Sequence, residues 1–293
     1  MPQRRPWLRR LGFLTLIALG LVGAAAIVER FTGDGLTLGP VVAVVEVQGV
    51  ISDAEPICDT LASLAKDARV GAVVVRIESP GGGVAPSQEI YEEIERLRAT
   101  KPVIASLGNV AASGGYYVAA ATNTIVAAAG TLTGSIGVIM EFRQLEQLAQ
   151  KVGVGEDIVK SGPYKDIGHP LRPMTEAERK LLQGMVNDVY EQFVDAVARG
   201  RGMAPERVRE LADGRLYSGQ QAKEAGLVDE LGGLNTAVRL AWTRAGGTGE
   251  PSVRRVKGPW RPWWLDLVGS LARPSPAGLG GGLLFLYGGP TPQ

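Results

Sequence analysis

Ser113 stands in the run Gly108-Asn109-Val110-Ala111-Ala112-Ser113-Gly114-Gly115, just ahead of Tyr116 and Tyr117. An apolar run over 102–107 enters this stretch as a strand, and a small, helix-compatible run over 116–121 leaves it, which predicts a strand-to-helix corner at the serine. The first N–H groups of a helix lack intrahelical partners, and the helix dipole favours negative charge there. A serine oxygen at such a corner can act as a nucleophile, and the next N–H, that of Gly114, can hold the oxyanion that develops. The plain alternative is that Ser113 only caps the helix, a common use of serine at a helix start.

A serine hydroxyl needs a base to attack an amide. The chain has one histidine, His169, so a Ser-His mechanism must use it or a histidine of another chain. Asp166 is near enough in sequence to be considered as the carboxylate orienting that imidazole. A lysine can serve instead if it is neutral, which burial favours. Lys165 lies beside Gly162, Pro163 and Tyr164 in a polar loop over 161–173 that could fold over a site. Its neighbour Asp166 would then have to point elsewhere, because a carboxylate paired with the amine would hold its proton. From the residues alone, lysine, histidine and an ordinary solvated loop all remain open.

The surrounding elements alternate. Strands are expected over 41–51, 71–78, 102–107, 124–129 and 154–160, with further extended chain over 131–140. Helices are expected over 58–68, 86–97, 142–151 and 205–212, from Ser218 to Ala225, over 234–242, and in a long run opened by Thr175 and closed by Gly200. Thr175 with Glu178 has the capping-box spacing. This alternation predicts an α/β domain with a largely parallel sheet over 41–245, whose ligands sit where strands end and helices begin. Gly81-Gly82-Gly83 and Ser113-Gly114-Gly115 both fall at such ends, and glycine lets backbone N–H groups approach one point closely.

The balance of the sequence excludes several classes. Net charge is +1 over 293 residues, with no basic field for nucleic acid. The single cysteine, Cys58, permits neither an intrachain disulfide nor a cysteine-based metal site, and reads as a small core hydrophobe. Residues 1–10 carry four arginines, and 11–28 carry no charge over a length just sufficient to span a bilayer. A cytoplasmic basic flank (1–10), an uncleaved transmembrane anchor (11–28), a linker (29–40) and an extracytoplasmic soluble domain are therefore expected, with a cleaved signal peptide ending near Ala24-Ala25-Ala26 as the rival reading. Residues 246–293 form a Trp/Gly-rich tail in which Trp260, Trp263 and Trp264 beside Arg261 suit either a membrane interface or an oligomer contact.

An ordered set of motifs carries a family resemblance. Ser79-Pro80-Gly81-Gly82, Ala112-Ser113-Gly114-Gly115-Tyr116-Tyr117, Thr133-Gly134-Ser135-Ile136-Gly137-Val138, Lys160-Ser161-Gly162-Pro163-Tyr164-Lys165-Asp166 and the run 222–229 together resemble the short bacterial form of signal peptide peptidase A. The likeness covers about 41–242. Ala111 stands where an α/β-hydrolase elbow would need its first glycine, which argues against that fold. The resemblance implies a ClpP/crotonase-like fold and a serine endopeptidase with a Ser-Lys dyad. Ser113 would be the nucleophile, Lys165 the general base, and Ser135 the hydroxyl that orients the amine. The oxyanion hole would be Gly114 with Gly81 or Gly82. It further implies no metal or other cofactor, a membrane-tethered homo-oligomeric ring, and extended apolar peptides such as signal-peptide remnants as substrates, bound by strand addition near residues 81–84. A crotonase-like acyl-CoA enzyme and a non-catalytic membrane scaffold would share the fold.

Overall fold

The computed structural model describes residues 39–256 and the backbone of residues 284–286. The expected basic flank, the anchor, linker residues 29–38 and the tail tryptophans lie outside the described residues. Among the described residues, no helix is long and apolar enough to cross a membrane.

The chain begins with β1 (Val41–Gln48), α1 (Glu55–Lys66), β2 (Val70–Ser79) and β3 (Gly81–Gly83). Next come α2 (Val84–Arg98), β4 (Val103–Ala112), α3 (Gly114–Ala120), β5 (Thr124–Ala127), β6 (Leu132–Gly134) and α4 (Glu146–Val152). The long α5 (Glu176–Arg201) precedes α6 (Pro205–Leu211), β7 (Leu216–Ser218), α7 (Gly219–Glu224), β8 (Glu230–Leu231) and α8 (Leu234–Arg244). Last are β9 (Val253–Val256) and β10 (Leu284–Leu286).

The main sheet runs β7-β6-β4-β2-β1-β9, with β5 joined to β4 and β8 to β5. All of its pairings are parallel except β6 with β7. The β-branched runs of β1 and β2 are explained by helices on both faces, since a parallel sheet covered twice needs apolar residues throughout. Ala43, Val45, Val73 and Val75 face the larger core with α2, α3 and α5. Val42, Val44, Ala72 and Val74 face the smaller one under α8. The α/β class with a mostly parallel sheet and flanking helices is thus observed.

Three local expectations are corrected. The strand expected over 154–160 does not form. Val154 and Val159 are exposed, and no described strand of this chain lies alongside to take their backbone hydrogen bonds. The tail does not begin at 246, because Val253–Val256 extends the sheet beside β1 and Arg254 donates to Asp67 at 2.9 Å. Finally, β4 does not stop at Leu107 but runs to Ala112 through an irregularity: Ile77 pairs with Leu107, whereas Ser79 pairs with Ala111. The Glu78 carboxylate accepts the N–H groups of Asn109 (2.8 Å) and Val110 (3.1 Å) across this bulge. A Cβ on Gly108 would fall 1.8 Å from that carboxylate, so glycine is what lets Glu78 cross there. Beyond the bulge, β4 re-registers onto β6.

Candidate active site

Ser113 follows the last residue of β4 and precedes the first of α3. Its backbone lies at φ 54°, ψ −118°, and Ser135 at φ 49° is the other non-glycine residue with positive φ among those described. Such a conformation costs about 1–3 kcal/mol and persists only where surroundings impose it. Here the Ser113 N–H donates to Gly134 O and its carbonyl accepts from Tyr117 N–H, each at 2.8 Å. The side chain makes no capping hydrogen bond. Its Oγ is buried and is the one such side-chain polar atom among the described residues with no hydrogen-bond partner. The helix-cap alternative is therefore excluded, and an unpaired buried hydroxyl costs stability unless it is kept for something else.

Sheet register sets the neighbours of this serine. Ala112 pairs with Gly134, so Ser113 and Ser135 leave adjacent parallel strands side by side. Thr131 and Thr133 fasten the two strands by donating to Gly108 O (2.7 Å) and Ala111 O (2.6 Å). The Ser135 N–H donates to Arg215 O at 2.8 Å. On the other side Ser79 pairs with Ala111, which brings the β2 exit against the β4 exit. The packing is close: a Cβ on Gly115 would lie 2.9 Å from Ser79 O, so a glycine is required where α3 starts. The two Gly-rich strand exits do converge.

The backbone donors differ in availability. The first helical hydrogen bond of α3 runs from Tyr117 N–H to Ser113 O, so the Gly114 N–H precedes any helical acceptor. Gly81 N–H donates to Ser79 Oγ at 3.1 Å. Ile51 bonds Gly81 O at 2.9 Å and Gly83 N–H at 2.7 Å. Backbone groups alternate along a strand, so Gly82 turns its own N–H and C=O to the opposite edge. That edge is occupied: β10 pairs antiparallel with β3, with Phe285 opposite Gly82.

Neither candidate base hydrogen-bonds the serine within one chain. Lys165 is exposed in the turns that follow residue 160, and its N–H bonds Gly162 O at 3.2 Å. It does not hydrogen-bond Ser113, whose Oγ has no partner. Asp166 points elsewhere, as a lysine mechanism requires: its carboxylate accepts from Lys160 Nζ at 2.6 Å and Arg172 Nε at 2.7 Å. Arg172 first, then Lys160, holds it well below the usual carboxylate range. His169 is engaged at both ring nitrogens, with Nε2 3.1 Å from Glu156 and Nδ1 accepting from Leu171 N–H at 3.2 Å. Asp166 does not orient that ring, and both ring nitrogens are turned to groups other than Ser113, whose Oγ has no partner.

Other acidic hydrogens nearby are quiet. Burial pushes the Tyr116 phenol up and that of Tyr117 up to about 12, so both rings serve as packing, Tyr117 against Tyr91 and Phe193 at 5.0 and 4.9 Å. Cys58 is raised to about 11, first by burial and then by Glu93 and Glu89, and stays a thiol. Glu78 and Arg172 are the residues that sequence reasoning missed. A charge ending an otherwise apolar strand, opposite a Gly-Asn pair inside another, was the available sign of the bulge.

The sequence profile of Peptidase family S49 matches residues 95–246, just over half of the chain. A Clp protease profile matches residues 43–132. The chain is 51% identical over 175 residues to a candidate protease of Synechocystis sp., covering 60% of this chain and 63% of that protein. It is 42% identical over 173 residues to a candidate signal peptide peptidase SppA of Enterococcus faecium, covering 59% and 50%. The chloroplastic serine protease SPPA of Arabidopsis thaliana is 39% identical over 193 residues, covering 66% of this chain and 28% of that protein. The chain thus spans less than two thirds of each of these relatives. The first profile runs through the Ser113 corner, Ser135, the Lys165 loop and α5, and on that match the chain belongs to peptidase family S49.

Proposed function

We propose that the chain is a serine endopeptidase that cuts extended apolar peptides, signal-peptide remnants among them, with Ser113 as nucleophile and Lys165 as general base. The observation that carries this reading is the buried, unpartnered Ser113 Oγ on a strained corner. Neutral Lys165 takes the hydroxyl proton as Oγ bonds to the peptide carbonyl carbon. The N–H groups of Gly114 and Gly82 receive the oxyanion; Gly82 is preferred to Gly81 because the Gly81 N–H is already held by Ser79. The tetrahedral species expels the amine, which takes the proton from the lysine ammonium. Water then repeats the cycle on the acyl-enzyme and frees the serine. Ser135, beside Ser113, orients the amine. The substrate adds as an antiparallel strand on Gly81–Gly83, the edge that β10 uses.

In this reading the lysine arrives from a neighbouring copy. None of residues 137–177 is buried, and Leu145, Leu148, Val152, Val154, Ile158, Val159 and Tyr164 leave large apolar groups exposed on the segment leading to Lys165. Such a surface marks an interface. A head-to-tail contact that closes gives a ring, tethered to the membrane by residues 11–28 with the domain on the extracytoplasmic side. Hydrolysis of an apolar fluorogenic peptide tests the reading. Ser113→Ala and Lys165→Ala should each be inactive and His169→Ala active. Equal mixing of the two inactive variants, followed by reassembly, should restore about a quarter of wild-type activity, because one interface in four then pairs an intact serine with an intact lysine. No recovery, with both variants assembled, would place the base within the same chain.

A further inference from the structure

We propose that Arg172 is a positioning residue for the reaction: it sets the Lys165 loop and keeps the Asp166 carboxylate off the lysine amine. The proposal rests on the reading of Lys165 as base. A guanidinium has five N–H donors in a fixed plane, and each of these has an acceptor. Nε donates to Asp166 Oδ2 at 2.7 Å. One terminal nitrogen donates to Glu178 Oε2 at 2.9 Å and Pro173 O at 3.1 Å, the other to Asp166 O at 3.0 Å and Glu178 Oε1 at 2.5 Å. Arg172 thus holds the residue next to Lys165 by both its side chain and its backbone.

The far end of the clamp is fixed. Glu178 is 2% exposed and is the third residue of α5, where it closes the capping box with Thr175. The same helix packs Phe193 on Tyr117 of α3, the helix that follows directly on Ser113. One continuous set of contacts therefore joins the serine corner to the loop bearing the lysine. Apart from this clamp and Lys160, the backbone hydrogen bonds within residues 161–169 are short-range turns such as Lys165 N–H to Gly162 O and Ile167 N–H to Tyr164 O. Charge matters as much as shape. Asp166 is the anion closest in sequence to Lys165, and its carboxylate is already turned to two other cations, with one oxygen on Lys160 and the other on Arg172.

A lysine at 172 keeps the charge but cannot reproduce the planar fork. In the full-length assembled protein, Arg172→Lys should lower kcat by about 10²-fold, the scale of a misplaced catalytic group, with KM within about twofold. The decisive readout is a double-mutant cycle with Lys165→Ala on an activated nitrophenyl ester, whose leaving group needs no protonation. In the Lys165→Ala background, Arg172→Lys should cost less than about twofold. An equal loss in both backgrounds would make Arg172 a structural residue only and overturn the proposal, as would wild-type kcat in Arg172→Lys. Should Arg172→Lys fail to assemble, Glu178→Gln gives the second test, with a smaller fall that again vanishes without Lys165. Full peptidase activity in Lys165→Ala would instead remove the underlying reading, a result separable from either of the others.

Discussion

The Ser113 corner and the Lys165 loop belong to one proposed reaction and are built in opposite ways. Every residue from Ala111 to Thr122 is buried, and the serine backbone is held on both sides by hydrogen bonds in a conformation it would not adopt alone. From 137 to 177, in contrast, no residue is buried, although the stretch carries a row of large apolar side chains. A segment with no fully buried residue offsets little of the entropy of ordering it. The serine's surroundings are complete in a single chain, whereas the Lys165 loop is fixed at one end by Arg172 and, in the proposed reading, would be completed by a neighbouring copy. In the proposed reading such a peptidase would be inert until assembled, which would limit stray cleavage.

Two substitutions separate these regions most sharply. Phe193 is fully buried behind Tyr117, and Phe193→Ala should lower unfolding stability by about 3–5 kcal/mol in a denaturant titration. Val159 is wholly exposed, and Val159→Asp should change the stability of the dissociated chain by less than about 0.5 kcal/mol. Yet Val159→Asp should abolish assembly by light scattering and take peptidase activity with it. If instead the chain stays assembled and active, the exposed row is not an interface and the contrast between the regions fails.

Acid should loosen the loop before the corner. Arg172 first, then the Thr175 backbone, lowers the Glu178 carboxyl from 4.5 to about 2, and Arg172 and Lys160 depress Asp166 as well. A depressed folded-state pKa stabilises above the unfolded value and loses that contribution as pH falls through the folded one. The clamp should therefore be intact at pH 5 and weaken from about pH 4.5 towards 2. Pepsin digestion across that window should cut first within residues 154–165. First cuts elsewhere, with the loop intact, would show that the clamp is not the weak point in acid.

The sequence made the corner readable because its causes are local: an apolar strand, a glycine run and a small-residue helix in succession. The Thr175–Glu178 capping box was readable for the same reason. What escaped was non-local. Residues 154–160 have strand-like composition, but a strand exists only with a partner, and the described residues supply none there. Val253-Arg254-Arg255-Val256 looks like tail until β1 offers it an edge and Asp67 takes Arg254. Glu78 had no visible task until the bulge set it against the Asn109 and Val110 N–H groups. The Lys165 side chain could be nominated from its motif, but it makes no bond to the serine within one chain, and no local pattern encodes that.

The smallest expected effect concerns the strand already resting on the nucleophile's side. β10 opposes Gly81–Gly83 with backbone alone in play on the glycine strand, so any extended peptide competes for the same groups. Three residues of main-chain pairing are weak, but tethering raises their local concentration to about the millimolar range. Removing residues 257–293 leaves the sheet through β9 intact and should lower KM for an apolar peptide by about threefold, with kcat unchanged. A raised KM would mean that β10 helps to hold the substrate rather than standing in its place. An unchanged KM would remove this edge from the substrate path, and the Gly82 N–H with it, leaving the corner built around Ser113 and Gly114 alone.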